Sequence, residues 1–246
     1  MLVSIIIPYY RCKDYISQSV NSVVNQTYKN WELIIVDDEN SKDSEFLLNK
    51  IKNKHKNIKI FSTKSNSGVG LARNLGIKKS KGVYIAFLDS DDYWQRTKIE
   101  KQINFLKKKN ADICYTGYTA FYNNVIKYSP STPSFMNYNI FLKECPICCS
   151  SVLIKSKILK HFKFKDYKNK EDYDLWLRIT KKKIKFFGLN KYLTFHRIRK
   201  NSLSSLQLSK LINAFYIYKK HFGFKPFLIF FSIVRLYINA LKKRFI

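Results

Sequence analysis

The chain is poor in the residues that break or loosen a fold, with 7 Gly and 5 Pro among 246 residues. This scarcity excludes collagen-like and linker-rich proteins. Cysteine numbers 5, an odd count that speaks against a disulfide framework and favours a reducing compartment. No stretch of about 18 uncharged apolar residues occurs, so no membrane span is predicted. The first residues lack the basic region of a signal peptide, and we expect a cytoplasmic protein.

The chain is also poor in acidic residues. The chain has 17 Asp+Glu against 46 Lys+Arg, which gives a formal net charge of +29. Nine of these acids fall in three clusters: Asp37-Asp38-Glu39, Asp89-Asp91-Asp92 and Glu171-Asp172-Asp174. A chain that has few acids and groups them is expected to use them in a site. No acid follows Asp174, while 17 Lys and Arg do. This asymmetry predicts an anionic partner surface, lipid before DNA.

Short apolar runs alternate with helical patterns over residues 1–110. Four runs predict buried strands, at residues 3–7, 32–36, 58–61 and 83–88. Apolar residues at helical spacing lie between these runs and after the last of them. The alternation predicts an α/β fold with a mostly parallel, Rossmann-like sheet flanked by helices. Two of the acid clusters directly follow strands, at the edge where such sheets bind ligands.

The C-terminal segment has a different pattern. Between residues 227 and 243 the polar positions are Ser232, Arg235, Asn239 and the pair Lys242-Lys243. Their spacing of three and four residues predicts an amphipathic helix with a narrow polar stripe. Such a helix could pack on the domain or lie in a membrane interface, with its basic side chains reaching headgroups. The positive charge favours the membrane, and Arg235 argues against a span.

Carboxylates at strand ends carry the candidate chemistry. Asp89-Ser90-Asp91 follows a hydrophobic strand and offers two carboxylates that could bind Mg²⁺ or Mn²⁺, or could form a solvated turn. Asp38 ends the second strand, where an acid can accept hydrogen bonds from a base or a ribose, or can form an Asx turn. Arg73 follows the Gly68-Val69-Gly70 loop. It could bind a diphosphate, pair with Asp89, or lie on the surface.

Other features predict no site. Cys145 and Cys148 form one C-x-x-C motif, but neither a second pair nor a histidine follows at zinc spacing. The histidines at positions 55, 161 and 221 are isolated along the chain, and we expect them on the surface.

Four segments place the chain in a family. VSIIIPYY, ELIIVDDENS, NSGVGLARNLGIKKSKGVYIAFLDSDD and EDYDLWLRI occur in this order. Over residues 2–205 the sequence resembles family 2 glycosyltransferases of the GT-A fold, most specifically at residues 66–92. Its final part, GLNKYLTFHRIRKNSLSS with a basic hydrophobic tail, is similar to bacterial enzymes that build O-antigen, capsule or teichuronic-acid chains. The resemblance implies a donor-binding half at residues 1–110, an acceptor-binding catalytic half at 111–206 and a basic amphipathic helical tail at 207–246.

The resemblance also implies roles for individual residues. Pro8 and Tyr9 line the pyrimidine pocket, Asp38 binds the base, and Asp37 supports Asp38. Asp89, Ser90 and Asp91 form the D-x-D element on the donor, with Asp91 as the direct metal ligand and Asp89 near both the metal and the ribose. Asp172, the second acid of the Glu171-Asp172 pair, is the catalytic base, and Arg178 holds its helix.

Two positions depart from the family's pattern. Glu39 and Asn40 stand where a Gly-Ser pair is usual, so that loop is expected to differ in shape. After the final strand, Arg199 occupies the position of a usual histidine. Arg199 can act there only through its charge, since it cannot ligate a metal, and His196 does not match that position.

The resemblance implies an inverting transfer from a nucleotide-diphosphate sugar, first UDP and second dTDP. The acceptor is a lipid-linked or polysaccharide glycan, the metal is Mn²⁺ or Mg²⁺, and the place is the inner face of the cell membrane, with no nucleic acid as partner. Two alternatives stay open. A metal-dependent nucleotidyltransferase leaves Glu171-Asp172 unexplained. A basic nucleic-acid-binding module leaves unexplained three acid clusters that would repel its polyanion.

Overall fold

The structure is a computed structural model and describes residues 1–167, 169–199, 207–223 and 225–245. The strands are β1 (Val3–Tyr9), β2 (Trp31–Asp37), β3 (Ile58–Ser62), β4 (Tyr84–Phe87), β5 (Tyr93–Trp94), β6 (Ile113–Tyr122), β7 (Val125–Tyr128), β8 (Phe135–Met136), β9 (Val152–Lys155) and β10 (Phe186–Arg197). The helices are α1 (Lys13–Val24), α2 (Lys42–Lys52), α3 (Val69–Lys79), α4 (Lys98–Lys109), α5 (Tyr138–Phe141), α6 (Ser156–Leu159), α7 (Glu171–Lys181), α8 (Gln207–Phe222) and α9 (Pro226–Phe245). A short 3-10 helix at Cys149–Ser151 precedes β9.

One sheet runs through the molecule in the order β3-β2-β1-β4-β9-β6-β10-β5, with β7 beside β6 and β8 beside β10. The strands β1 to β4 pair in parallel, which confirms the prediction for the first part of the chain. Beyond β4 the sheet is mixed, because β9 runs antiparallel to both of its neighbours. β10 is again parallel to β6.

The core lies on both faces of this sheet. Every residue of β1, β2 and β4 is buried, as is typical of parallel strands covered by helices. Alternate side chains of β1 enter opposite layers, since Ile5 and Ile7 belong to one buried cluster with residues of α1 and α4, while Ile6 belongs to a second cluster with residues of α7. The two layers fix the carboxyl ends of β1, β2 and β4 at one edge.

The C-terminal segment is helical, as predicted. α8 joins the core through Ala214, Ile217 and Tyr218, and α9 through Ile229. The side chain of His221 is only 3% exposed and lies 3.2 Å from the Tyr138 hydroxyl. The expectation of a surface His221 is therefore wrong, because α8 packs that side chain against the domain.

Several parts of the C-terminal prediction lie outside the described residues. These are the side chains of Asn239, Lys242 and Lys243 in the polar stripe, and the boundary at residue 206 between the second half and the tail. Within the described ranges, no helix is long and apolar enough to cross a membrane.

Candidate active site

The ends of β1 and β2 form the first wall of the site. Pro8 and Tyr9 are buried in β1 and pair in register with Val36 and Asp37 of β2. Burial, with help from the charge of Glu39, raises the pKa of Tyr9 to about 12. The phenol therefore stays protonated at neutral pH and can donate a hydrogen bond at this edge.

Asp37 shapes the turn that leads into α2. Its Oδ1 accepts the backbone N–H groups of Glu39 and Asn40, at 3.0 and 3.2 Å, and its Oδ2 accepts the Ser44 hydroxyl at 2.7 Å. Asn40 adopts a left-handed φ of 55°, which Asn tolerates better than most residues. The Glu39 carboxylate accepts the N–H of Arg11 at 2.9 Å. The unusual pair at 39–40 thus sits in a turn held by Asp37.

Asp38 holds the loop before α3. Its carboxylate accepts the Thr63 hydroxyl at 2.7 Å and the backbone N–H groups of Ser67 and Gly68, each at 2.9 Å. The bond to Gly68 fixes a residue with a φ of 85°. A carboxylate has about four lone-pair positions, and these contacts use three of them. The Asx turn that was the alternative for Asp38 is formed by Asp37 instead, and Asp38 braces the loop before α3 at the edge of the sheet.

Arg73 joins two of the predicted acid clusters. It is 2% exposed, and its guanidinium donates to Glu171 Oε1 at 2.5 Å and to Asp89 Oδ1 at 2.6 Å. The Phe164 ring lies 5.3 Å from its Cζ. Burial disfavours its charge, but the carboxylates of Asp89 and Glu171 outweigh burial and hold the pKa of Arg73 well above its ordinary value. Arg73 is therefore the bridge between the two clusters, and the surface alternative is wrong.

Gly70 makes this bridge possible. A Cβ at position 70 would lie 2.9 Å from the Lys165 carbonyl oxygen and 3.3 Å from Glu171 Cγ. The absence of a side chain lets α3 approach the segment that enters α7. Arg73, one turn further along α3, then reaches Glu171.

Asp172 lies in the first turn of α7, where the helix dipole favours an anion. Burial, and next the charge of Glu171, raise the pKa of Asp172 to about 6, while Arg73 opposes the rise. Such a carboxyl can take a proton near neutral pH. Arg178 holds the same helix by donating to Asp174 Oδ2 at 2.7 Å and to the Lys163 carbonyl at 2.6 Å.

The turn at residues 89–92 is braced from three sides. From α1, the Ser19 hydroxyl contacts the carbonyl oxygens of Ser90 and Asp92, at 2.9 and 2.5 Å. The Ser150 hydroxyl accepts the N–H of Asp89 at 3.0 Å and donates to Asp92 Oδ2 at 2.6 Å. From β10, the N–H of Arg197 donates to Asp92 Oδ1 at 2.9 Å. Asp92 is thus the anchor of the turn, and Ser90 lies buried within it.

The carboxylates of Asp91 and Asp89 suit a divalent cation that also binds a phosphate. Arg199 Nε lies 2.7 Å from Asp91 Oδ2, and Arg73 forms an ion pair with Asp89 Oδ1. Within the described residues, neither Asp89 Oδ2 nor Asp91 Oδ1 has a hydrogen bond or an ion pair. Mg²⁺ uses one or two carboxylates and completes its shell with water and substrate phosphates. Two carboxylate oxygens at a braced turn match that requirement.

A second group of metal-binding residue types has another explanation. Asp92, Cys148 and His196 are the one set of three such side chains that the described ranges bring within 4.8 Å of one another. Although burial lowers the pKa of His196, the Asp92 charge holds it well above its ordinary value. In the structure His196 Nδ1 lies 3.2 Å from Asp92 Oδ1, so this contact braces the turn, and Cys148 is the one residue of the C-x-x-C motif that belongs to the group.

Ser19 and Ser150 are site residues that sequence reasoning missed, and it named Asp92 and His196 without finding their role in bracing the turn. Asp92 had one signal, since it directly follows the D-x-D element. The serines and His196 come from α1, the 3-10 helix and β10, and no local pattern marks them.

The sequence of the chain matches a family description and several named proteins. A family description, Glycosyl transferase family 2, matches residues 4–184. The chain is 43% identical over 213 residues to the Escherichia coli protein named UDP-Glc:alpha-D-GlcNAc-diphosphoundecaprenol beta-1,3-glucosyltransferase WfaP, covering 86% of this chain and 83% of that one. It is 30% identical over 245 residues to the putative teichuronic acid biosynthesis glycosyltransferase TuaG of Bacillus subtilis, covering 99% and 97% of the two chains.

A solved structure shares the fold. Staphylococcus aureus TarS 1-349 in complex with UDP-GlcNAc matches with a TM-score of 0.71 and 21% identity. The match covers 88% of this chain and 65% of TarS 1-349, so this chain spans slightly less than two thirds of that protein. The GT-A architecture expected from the sequence is therefore confirmed.

Proposed function

The chain belongs to glycosyl transferase family 2, and from that membership we propose that it transfers a sugar from a UDP-sugar to a lipid-linked glycan during synthesis of a cell-surface polysaccharide. The observation that carries this proposal is the Arg73 bridge. It ties Asp89 of the D-x-D element to Glu171, beside Asp172. With Asp89 proposed as part of the donor site and Asp172 proposed as the base, the bridge supports the proposal because sugar transfer requires the two to be close.

The chain's own residues supply the proton chemistry. Asp172 accepts the proton of an acceptor hydroxyl as that oxygen attacks the anomeric carbon. Attack from the face opposite the leaving group inverts that carbon, as in inverting glycoside hydrolases. Glu171 and Arg73 hold Asp172 in place. Mn²⁺ or Mg²⁺, held by Asp91 and Asp89, would neutralise charge on the leaving diphosphate when bound.

The donor side of the proposal uses the wall formed by β1 and β2. Pro8 and the Tyr9 phenol line the pyrimidine, Asp38 accepts a hydrogen bond from the base, and Asp37 keeps the turn in place. Ser90 lies at the ribose side with Asp89. UDP is the first nucleotide and dTDP the second. In this proposal residues 1–110 are the donor half, 111–206 the acceptor half and 207–246 the tail.

Titration calorimetry with UDP tests the proposed donor. We expect Mn²⁺ to strengthen UDP binding by about tenfold or more, and Asp91→Ala to abolish that gain, because charge-assisted contacts to phosphate are strong. Asp43→Ala, an exposed carboxylate on α2, is the matched control and should bind UDP normally.

Three results would argue against this donor assignment. Absence of UDP and dTDP binding would remove the proposed donor class. Pyrophosphate release from a nucleoside triphosphate and a sugar phosphate would favour a nucleotidyltransferase. Salt-sensitive binding of DNA without UDP binding would favour the nucleic-acid module.

The pH dependence of the transfer rate should reflect the titration of Asp172. Its pKa of about 6 predicts that kcat/KM falls tenfold per pH unit below about pH 6 and is level above it, because only the carboxylate accepts a proton. The charged and titratable groups facing it are Glu171, Arg73, Asp89 and Cys149. Initial rates between pH 5 and 8 measure this fall in kcat/KM. A rate that rises toward pH 5 would contradict this base.

We also propose that the tail lies on the anionic inner face of the cell membrane. Along α9 the side chains of Phe227, Phe230 and Phe231 are 78%, 62% and 65% exposed. No acid follows Asp174, while Lys and Arg are frequent there. Exposed aromatic residues together with positive charge are typical of helices that bind anionic membranes at the interface.

Vesicle sedimentation tests this surface. We expect binding to phosphatidylglycerol vesicles and not to phosphatidylcholine vesicles. The double variant Phe230→Ser/Phe231→Ser should weaken binding by about tenfold or more, since each buried Phe contributes about 1.5–3 kcal/mol. Phe46→Ser on α2, where Phe46 is 74% exposed, is the matched control. A membrane role of α9 would be contradicted if the double variant and Phe46→Ser lost vesicle binding equally. Equal binding of the native protein to both lipids would also contradict it.

A further inference from the structure

The tail helix α8 packs against the helix that carries Asp172. Ala214, Ile217 and Tyr218 of α8 are buried in one cluster with the apolar residues of α7. Three residues separate the end of α8 from the start of α9. The segment proposed to lie on the membrane is therefore connected, through α8, to the helix of the proposed base.

Polar contacts of α8 lie on both sides of Asp172 along the chain. Just before α7 begins, the side-chain amide of Asn213 donates to Asn169 Oδ1 at 3.1 Å. Within the first turn of α7, the hydroxyl groups of Tyr218 and Tyr173 lie 3.1 Å apart. Within the described residues, α8 makes no contact with the Asp172 side chain itself. The helix α8 therefore holds the backbone around the proposed base and not the base directly.

The pair of tyrosines is the most buried of these contacts. Tyr173 and Tyr218 are 3% and 1% exposed, and the Tyr173 hydroxyl donates to the Phe141 carbonyl oxygen at 2.7 Å. A buried hydroxyl group that loses its partner is destabilised, because water cannot replace the lost hydrogen bond. The N–H of Tyr173 also donates to Asp172 Oδ1 at 2.7 Å. Tyr218 can therefore act on Asp172 through Tyr173.

The docking of α8 is incomplete near its C-terminal end. Asp174 Oδ1 and His221 Nε2 lie 3.9 Å apart, which is too far for a hydrogen bond. Both atoms are buried, and neither has a hydrogen-bond partner among the described residues. Unpaired buried polar atoms are unfavourable, so this gap weakens the docked position of α8. A ligand that binds the docked form more tightly can raise its population.

An anionic membrane is such a ligand. Ile229 of α9 is buried in the same cluster as Tyr218, whereas Phe227, Phe230 and Phe231 of α9 are exposed. The docked arrangement therefore presents these three aromatic side chains to the outside together. A membrane that binds them favours this arrangement over one in which α9 has turned away, and such a difference in affinity is what shifts an equilibrium.

We propose that α8 positions Asp172, and that binding of α9 to an anionic membrane raises the rate of transfer by keeping α8 docked. Tyr218 is a positioning residue in this proposal, since it acts through Tyr173 and not on the substrate. The inference rests on the proposed function, which assigns the base to Asp172 and the membrane surface to α9. The enzyme is then most active at the surface that holds its lipid-linked acceptor.

Hydrolysis of UDP-glucose tests the proposal without an acceptor, so that vesicles cannot act by delivering substrate. Water replaces the acceptor hydroxyl, and glucose and UDP are released. We expect phosphatidylglycerol vesicles to raise kcat of the full chain by about fivefold or more, and phosphatidylcholine vesicles to leave it unchanged. Tyr218→Phe should lower kcat by about three- to tenfold, the effect of one lost hydrogen bond, and should remove most of the activation. Its Kd for UDP should stay within about twofold of the native value, because no donor contact is changed.

Tyr216→Phe is the matched control, because Tyr216 is an exposed tyrosine of the same helix. It should keep the native kcat and the native activation. Amide hydrogen exchange over residues 173–177 is a second readout that needs no substrate. Phosphatidylglycerol vesicles should slow this exchange in the native protein and in Tyr216→Phe, but not in Tyr218→Phe. Vesicle sedimentation and urea midpoints verify that each variant binds membranes and folds.

Three results overturn the inference. The first is a vesicle-bound native protein whose kcat and α7 exchange equal those in solution. The second is equal behaviour of Tyr218→Phe and Tyr216→Phe in both measurements. The third is native protein that does not bind phosphatidylglycerol, which also refutes the proposed membrane surface.

Failure of the proposed donor gives a different pattern. Native protein would then neither bind UDP nor hydrolyse UDP-glucose. If its α7 exchange still slowed on phosphatidylglycerol, and did so only with Tyr218 intact, the coupling between tail and α7 would stand while the UDP-sugar donor was refuted.

Discussion

Replacement of Asp172 by Asn is expected to lower the turnover number by about 10²–10⁴-fold, which is the range that general base catalysis contributes. An amide cannot accept the proton, whereas its shape is nearly that of the carboxyl group. The proposed donor contacts lie on Asp89, Asp91 and the ends of β1 and β2. The Kd for UDP should therefore change by less than about threefold, which corresponds to about 0.7 kcal/mol, because the proposal gives Asp172 no contact with the nucleotide. Single-turnover transfer and UDP calorimetry on the same samples measure both quantities.

Asp166→Asn is the control for this experiment. Asp166 is exposed and precedes α7 by a few residues, so its replacement removes one nearby negative charge without removing the base. It should transfer sugar at a rate close to that of the native protein. If Asp172→Asn lost UDP affinity and turnover to the same degree, Asp172 would be a donor-binding residue and not the base.

Arg73→Met should cost about 3–5 kcal/mol of folding stability, the range seen when one partner of a buried ion pair is removed. The methionine fills similar space but leaves Glu171 buried without a cation, and it frees Asp89 on the other side. Transfer should be lost as well, because the bridge between the donor site and the base is gone. Urea unfolding measures the first effect and initial rates measure the second.

Two further variants separate the effect of the Arg73 bridge on stability from its effect on activity. In Arg73→Met/Glu171→Leu the unpaired buried carboxylate is also removed, so a large part of the lost stability should return while transfer stays absent. Lys155→Met breaks the half-exposed pair with Asp112 and should cost about 1 kcal/mol or less. If Arg73→Met lost no more free energy of unfolding than Lys155→Met, solvent would already screen the ion pairs of Arg73.

The sequence predicts the first half of the fold because its local and global signals agree. Strands β1, β2 and β4 are buried on both faces, so each appears as a largely apolar run, and the polar Ser4 and Glu32 within them are hydrogen-bonded to each other. Asp37 and Asp89 mark where the second and fourth runs stop. Parallel pairing then brings these acids to one edge, and the contact between Arg73 and Asp89 was one of the stated alternatives for that arginine.

The bracing of the D-x-D turn could not be predicted in the same way. The Ser150 hydroxyl meets Asp92 across 58 residues of sequence, and the N–H of Arg197 meets it across 105. Nothing near Ser150 distinguishes it from Ser151. The antiparallel direction of β9 also depends on how the chain returns through the 3-10 helix. Likewise His221 is buried only because α8 packs beside Asp174, which no periodicity in α8 reveals.

The contribution of β10 to the D-x-D turn has a consequence for biosynthesis on the ribosome. Asp92 emerges well before its partners in β10, and translation at about 5–20 residues per second separates Asp92 from Arg197 by about 5–20 s. During that interval the nascent chain already contains its parallel strands, but the acidic turn lacks His196 and Arg197. A growing chain therefore cannot complete the bracing of its D-x-D turn before β10 has been translated, so the turn acquires its final structure late in synthesis.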